Sequence, residues 1–315
     1  YDEVMRTNES NVCGIKIFMG SSTGNMLVDN HSVLEKLFAN VPMLIATHCE
    51  DEATIQQQFN YYKDKYGAEM KPFMHPLIRN EAGCFLSSSR AVEMANKYGT
   101  RLHILHISTM DELSLFNNEI LLKDKKITSE VCVHHLYFDA GDYEILGNLI
   151  KCNPAIKSGK HKTALFQALL DDRLDIIATD HAPHSLEEKS QSYEYAPSGI
   201  PLVQHSLNIM MDFYQKDMIS LEKIVEKMCH APAECFRIKD RGYLDEGMYA
   251  DLVLVNSIEK WKVSKENIHY KCGWSPLEGK EFMGNVVSTY VNGNQVYASD
   301  GTFRQGSGMR LTFDR

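Results

Sequence analysis

Apolar runs that end in polar turns bearing histidine, lysine or aspartate recur along the chain, with helical patterns between them. Gly14-Ile15-Lys16-Ile17-Phe18-Met19 reads as a strand with a lysine in its middle, feeding a Gly/Ser loop at 20–25. A helix is predicted over 29–39, capped by Asp29 or Asn30, with Val33, Leu34, Leu37 and Phe38 on one face. Met43-Leu44-Ile45-Ala46-Thr47-His48-Cys49-Glu50-Asp51 repeats the strand-to-polar-mouth pattern. A polar-rich helix (52–66), a loop containing Pro72 and Pro76 (67–80) and a second helix (81–98) lead to a strand at 101–109. Within that strand His103 and His106 differ by three positions and point to opposite faces. His106 stands at the strand's end, before the polar turn. Residues 127–136 form another strand, with Glu130, His134 and His135 towards its exit, and 151–156 form a loop. A helix over 160–171 leads to the strand 174–180, which opens into Thr179-Asp180-His181-Ala182-Pro183-His184.

This alternation predicts an α/β fold with a parallel sheet and helical crossovers. Successive strand mouths carry Lys16, His48, His106, Glu130 with His134, and Asp180. Active sites of (β/α)8 barrels are assembled in this way, from the C-terminal ends of different strands. Beyond 200 the texture changes. Helices are predicted at 201–214 and 220–236, and Ile209-Met210-Met211 reads as helix core. A turn and strand follow at 245–255, then two strands at 286–291 and 295–297 around Asn292-Gly293, a type I′ hairpin signal. The division is therefore a barrel part over 1–240 and a small β portion with a tail over 241–315.

A carboxylate at the mouth of a buried strand, such as Asp180, is costly unless a cation or a proton relay compensates it. Lys16 has two readings: an ammonium that snorkels to water, or a desolvated amine of lowered pKa. Such an amine can take up carbon dioxide as a carbamate, whose two oxygens can bridge metal ions. Lys16, His48, His106 and Asp180 offer nitrogen and oxygen without thiolate, a donor set suited to zinc or a similar divalent ion.

Composition narrows the rest. The 315 residues are 43% hydrophobic, enough for one large domain or one large and one small. The net charge of −9, without a basic tract, argues against nucleic acid as a partner. No apolar run is long enough to span a bilayer, which argues against a membrane. Eight cysteines without a C-x-x-C pair read as reduced thiols of a cytoplasmic protein. His31, His75, His161, His205, His230 and His269 read as solvated or core residues. The charged stretch 185–195, with Glu187, Glu188, Lys189 and Glu194, reads as a solvated loop or a mobile lid.

Several motifs together resemble the amidohydrolase superfamily of metal-dependent cyclic-amide hydrolases. They are Gly-Ile-Lys-Ile-Phe-Met, Thr-His-Cys-Glu-Asp, Leu-His-Ile-Ser-Thr and Ala-Thr-Asp-His-Ala-Pro-His. Within it the chain is similar to the dihydroorotase family of the longer bacterial type. Glu130-Val131-Cys132-Val133-His134-His135-Leu136 resembles that family's Glu-Val-Thr-Pro-His-His-Leu strand, with Cys-Val for Thr-Pro. Lys151-Cys152-Asn153-Pro154 resembles its Asn-Pro turn, and Gly247-Met248-Tyr249-Ala250-Asp251-Leu252 its late β-sandwich motif. The resemblance runs from about residue 12 to the end.

The resemblance implies a TIM-type barrel plus a C-terminal β-sandwich portion. It implies two zinc ions bridged by N6-carboxylated Lys16, with His48 and His106 on the second ion. Asp180 would bind the first ion and shuttle the proton. Asn153, His184 and the backbone of Ser198 and Gly199 would hold a small-molecule substrate. The implied reaction is the reversible, zinc-dependent closure of N-carbamoyl-L-aspartate to L-dihydroorotate in de novo pyrimidine (UMP) synthesis. One departure stands out, since no His-x-His precedes Lys16. The expectation is therefore an incomplete barrel, strands four to eight, within a longer polypeptide. Alone it would be weakly active or inactive, with open edges that favour aggregation or pairing into a homo-oligomer. Two rivals remain: another cyclic-amide hydrolase (an allantoinase or dihydropyrimidinase), and a non-catalytic scaffold of the same fold.

Overall fold

The structure, a computed structural model, describes residues 1–20, 26–306 and 308–314. Of the Gly/Ser loop read at 20–25, only Gly20 is among the described residues. Five strands form one parallel sheet in chain order: β1 (Ile15–Phe18), β2 (Ile45–His48), β3 (Leu102–Ile104), β4 (Ile127–Cys132) and β5 (Ile176–Ala178). Chain-order neighbours are the rule in an α/β barrel, whereas a doubly wound sheet reverses at a switch point. The apolar runs that predict these strands are buried to match. Ile45, Leu102, Ile104 and Val131 have no exposed surface, as a parallel sheet covered by helices requires.

The crossover helices follow their caps. His31–Asn40 begins where the Asn30 side chain accepts from the Val33 N–H, and it buries Leu34, Leu37 and Phe38. Val33, expected on that buried face, is exposed. Glu52–Tyr66 starts at the Asp51 cap, and Glu81–Tyr98 runs from the Asn80 cap to a left-handed Gly99. Gly159–Leu170 precedes β5. His161, inside it, accepts at Nδ1 from the Met110 N–H, so its Nε2 carries the proton and donates to Glu81 over 3.0 Å.

Several segments differ from their sequence expectation; the strand expected over 101–109, for one, is only Leu102–Ile104. The loop at 67–80 holds short helical turns, Gly67–Glu69, Pro72–Met74 and His75–Ile78. Pro72 and Pro76 sit at the starts of these turns, where a missing N–H costs nothing. The strand expected over 127–136 stops at Cys132, and Val133–Tyr137 is helical. The helix expected over 220–236 is interrupted by a π turn at Glu226–His230. Pro232, just beyond it, cannot supply the N–H that a regular turn needs.

The C-terminal part is one antiparallel sheet of β6 (Leu252–Lys262), β7 (Glu281–Val291) and β8 (Asn294–Ala298), where a sandwich portion was expected. Asn292 and Gly293 have φ of 50° and 78°, the left-handed pair that a type I′ turn needs. The sheet packs on the helix Ser206–Gln215. A Cβ on Gly284 of β7 would stand 2.9 Å from Met211. The Gly284 carbonyl accepts from Asn208 and Trp261 side chains. Leu277 and Phe282 thereby join the same buried cluster as Ile104 and Val131. Met210 and Ile209 are fully buried there, as expected of helix core. All eight cysteines are free thiols. Among the described residues no helix is long and apolar enough to cross a membrane.

Two tests follow from this packing. Ile104→Ala empties the centre of the sheet and is expected to cost about 2–5 kcal/mol. Ile145→Ala, at an exposed position, should stay within about 0.5 kcal/mol; urea unfolding of both variants compares them. The second test concerns Glu81. Its hydrogen bond from His161 holds its carboxyl down, to about 2, against the opposing effect of burial. A carboxyl lowered in the folded state stabilises above its unfolded pKa, and that stability is lost as pH falls through the folded value. Stability measured from pH 5 to pH 2 should therefore fall less steeply in Glu81→Gln than in the parent chain.

Candidate active site

Parallel pairing lines up the strand exits, with Phe18 opposite His48 and Thr47 opposite Ile104. His48, the last residue of β2, is buried, and its Nδ1 lies 2.9 Å from Nε2 of His106, just past β3. The other nitrogen of His48, Nε2, lies 2.9 Å from Glu50 Oε2. A carboxylate only accepts, so His48 Nε2 carries the proton and Nδ1 is an acceptor for His106 Nε2–H. That leaves His106 Nδ1 buried with no hydrogen-bond partner. Burial, and then the neighbouring His48, push the His106 pKa well below the ordinary histidine value. The ring is neutral at physiological pH. Glu50 is held ionised. Burial alone would raise its pKa, but the Arg79 guanidinium at 3.4 Å and the His48 hydrogen bond lower it to about 2.

The His48–His106 pair fits a borderline divalent cation. Replacing the one proton shared between the rings would use both lone pairs and leave Glu50 in place. The His103 and His106 side chains reach different partners. His103 lies against Thr128, Glu130 Oε2 and Phe236, and His106 against His48; only the main-chain N–H of His106 reaches Glu130 Oε1. β3 ends at Ile104, and His106 has φ 41°.

The remaining expected ligands lie differently. Lys16 is exposed, with its Nζ 4.5 Å from the centre of the Phe18 ring. In this chain the Lys16 side chain is open to solvent. β1 is an edge strand among the described residues, so one side of Lys16 has no neighbouring strand. Its charge still reaches His106. Asp180 is also exposed, so water meets the cost expected of a buried carboxylate. It follows β5 with φ 42°, and its charge acts on Cys132, His134 and Cys152. The structure thus brings His48 and His106 into direct contact, with Lys16 and Asp180 open to solvent at the first and last strands.

The expected substrate residues converge on one loop cluster. Asn153, in a cis bond to Pro154, faces His75 Nε2 through Oδ1 at 3.1 Å. His184 Nε2 donates to the Ser198 carbonyl at 3.2 Å. The Gly199 N–H donates to the Lys151 carbonyl, and a Cβ at Gly199 would stand 2.4 Å from the Ala182 carbonyl oxygen. Only glycine fits that approach. Beside them His75, Arg79, Lys151, Asn153, Tyr193 and Ser198 line a cavity of about 180 Å³.

Sequence reasoning missed what anchors this cluster. Lys189, expected in a solvated loop, is 1% exposed. Its ammonium donates to the carbonyls of Lys151, Pro197 and Gly199 over 2.9–3.1 Å. Burial lowers its pKa to about 7, and the three carbonyls favour the charged form. Tyr193 is likewise buried, its hydroxyl 2.9 Å from His75 Nδ1. The stretch 185–195 is therefore pinned at several points, the Gln191 and Tyr193 carbonyls and Glu194 included. A lysine in helical register behind the Ser185 capping box was the one available signal.

Residues 36–296 match the model of the amidohydrolase family. The chain belongs to that family. It is 28% identical over 306 residues to a dihydroorotase of Methanosphaera stadtmanae, covering 97% of this chain and 69% of the relative. To a dihydroorotase of Pyrococcus abyssi it is 32% identical over 297 residues, covering 94% and 65%. Its backbone is similar to an L-hydantoinase (dihydropyrimidinase) of Arthrobacter aurescens, with a TM-score of 0.88 at 25% identity, covering 96% of this chain and 69% of that one. These likenesses show a TIM-barrel-like fold. The chain spans roughly two thirds of the length of the curated relatives it matches.

Lys189→Met removes the ammonium from the Pro197 and Gly199 carbonyls, while the Lys151 carbonyl keeps its bond from the Gly199 N–H. The substitution should lower stability by about 1–3 kcal/mol and speed hydrogen exchange of the Gly199 amide, read by mass spectrometry of the peptide spanning 196–200.

Proposed function

We propose that this chain acts as a dihydroorotase, closing N-carbamoyl-L-aspartate to L-dihydroorotate reversibly in pyrimidine (UMP) synthesis. The observation that carries this reading is the likeness of nearly the whole chain to relatives named dihydroorotase. The converging imidazoles of His48 and His106 support it. We further propose that residues 1–240 supply strands four to eight of the barrel, and that 241–315 supply part of a β-sandwich. The exposed Lys16 on an edge strand agrees with a barrel wall continued by other residues. The setting is cytoplasmic, in keeping with eight free thiols.

His48 and His106, with Lys16 as its N6-carbamate and Asp180, would hold two zinc ions. Bound zinc supplies Lewis-acid polarisation of the amide carbonyl. The carbamate forms when the Lys16 amine adds to carbon dioxide and loses a proton. Asp180, open to solvent beside the site, passes a proton to the leaving ring nitrogen in the opening direction and takes it back on closure. Asn153, His184 and the backbone of Ser198 and Gly199 orient the substrate. Lys189 and His75 hold those groups in place before it arrives. The L-hydantoinase likeness keeps a second reading in view, a cyclic-amide hydrolase of different ring preference.

The deciding experiment supplies dihydroorotate, allantoin and dihydrouracil side by side with zinc present. Residues 1–315 are assayed alone, and again with a segment carrying a His-x-His strand fused ahead of Tyr1. Dihydroorotate should be preferred by about 100-fold or more. Activity should be low in the chain alone and rise on fusion. Asp180→Asn in the fusion should lose about 100-fold or more. A preference for either other ring overturns the substrate, and full turnover by residues 1–315 alone overturns the partial barrel.

A further inference from the structure

We propose that Cys132, His134 and His135 form a second metal site for a thiophilic divalent ion of the zinc and cadmium class. This site shares no ligand with Lys16, His48, His106 and Asp180. One ligand atom from each of the three residues lies within 4.8 Å of the other two. Among the described residues this is the one group of three His, Cys, Asp or Glu side chains so placed. All three are at most 3% exposed. The two imidazole rings have centres 4.3 Å apart.

The trio comes together because the chain changes conformation there. β4 ends at Cys132, and the helix Val133–Tyr137 begins at the next residue. That turn brings both histidines back beside the cysteine, which a strand continued to 136 could not do.

The nitrogens are left ready for a cation. Nδ1 of His134 and Nδ1 of His135 are both buried without a hydrogen-bond partner. His135 Nε2 lies 3.2 Å from the Pro154 carbonyl oxygen. A carbonyl only accepts, so Nε2 carries the proton and Nδ1 presents a bare lone pair sealed from water. Buried polar atoms in that state are rare and call for an explanation, and a bound ion supplies one. Burial keeps both rings neutral, which is the form that metals bind.

Charge and donor type select the ion. Burial first, and then the charges of Glu130 and Asp180, oppose a bare thiolate at Cys132, with Lys16 acting the other way. A divalent cation reverses that balance by neutralising the thiolate it binds. Binding exchanges the thiol proton for the ion and releases that proton to solvent, with no change of oxidation state. Sulfur beside two imidazoles suits zinc or cadmium rather than magnesium or calcium. Three protein ligands leave one tetrahedral position open.

Cobalt(II) is the probe, because a thiolate ligand gives it a near-ultraviolet charge-transfer band that nitrogen and oxygen ligands do not. Titrated into reduced, metal-free residues 1–315, it should produce that band. The band should survive Cys49→Ser, whose thiol lies next to His48 in the chain, and vanish in Cys132→Ser. No band in the unsubstituted chain, or a band that survives Cys132→Ser, overturns the proposal. Zinc-edge X-ray absorption of the unsubstituted, zinc-loaded chain depends on no variant. It should show a sulfur shell at about 2.3 Å, and a shell of nitrogen and oxygen alone overturns the site. Dihydroorotate turnover tests the other metal set separately, so failure of one reading is distinguishable from failure of the other.

Discussion

Parallel pairing in chain order brings five strand ends to the same edge of the sheet, and the chemistry of this protein depends on that alignment. His48 and His106 are separated by a long stretch of chain, yet register sets them 2.9 Å apart. Glu130 arrives on the next strand and takes hydrogen bonds from both His103 and His106. Glu50 and Arg79 then lock the outer side of His48. A slip of one residue between β2 and β3 would turn His48 away from His106.

Buried histidines serve this molecule mainly as neutral connectors. His75 ties Tyr193 to the Cys152–Asn153 turn, and His161 joins the Met110 amide to Glu81. His205, with burial holding its pKa down at about 4, links Tyr270 and Ser275. Each spans two polar groups that would otherwise be stranded in the core. Nδ1 of His106, of His134 and of His135 has no such partner, and neither has Nε2 of His205, which meets both its partners through Nδ1.

Much of this was legible in the sequence because the controlling forces were local. Apolar runs ending in polar turns located all five parallel strands, and Asn30, one of two candidates, proved to be the cap of its helix. The hairpin at Asn292-Gly293 needed only two residues to declare itself. What failed depended on distant neighbours. Val133 and Leu136 suit a strand as well as a helix, so the end of β4 was misplaced. The exposure of Lys16 follows from what flanks β1, which no property of its own strand encodes. Lys189 looked solvated because it sits among glutamates, and its partners are main-chain carbonyls of the following loop and of Lys151, which no side-chain pattern marks.

Those partners are all main-chain oxygens. An anchor that grips side chains ties several positions to one another, so that each can change only if its partner changes as well. Lys189 instead holds groups that every residue at Lys151, Pro197 or Gly199 would present. The loop over 196–199 can therefore exchange its side chains in the course of evolution, and retune what it recognises, without losing its place. The burden of invariance falls on Lys189 itself and on Gly199, where a close approach leaves no room for a side chain.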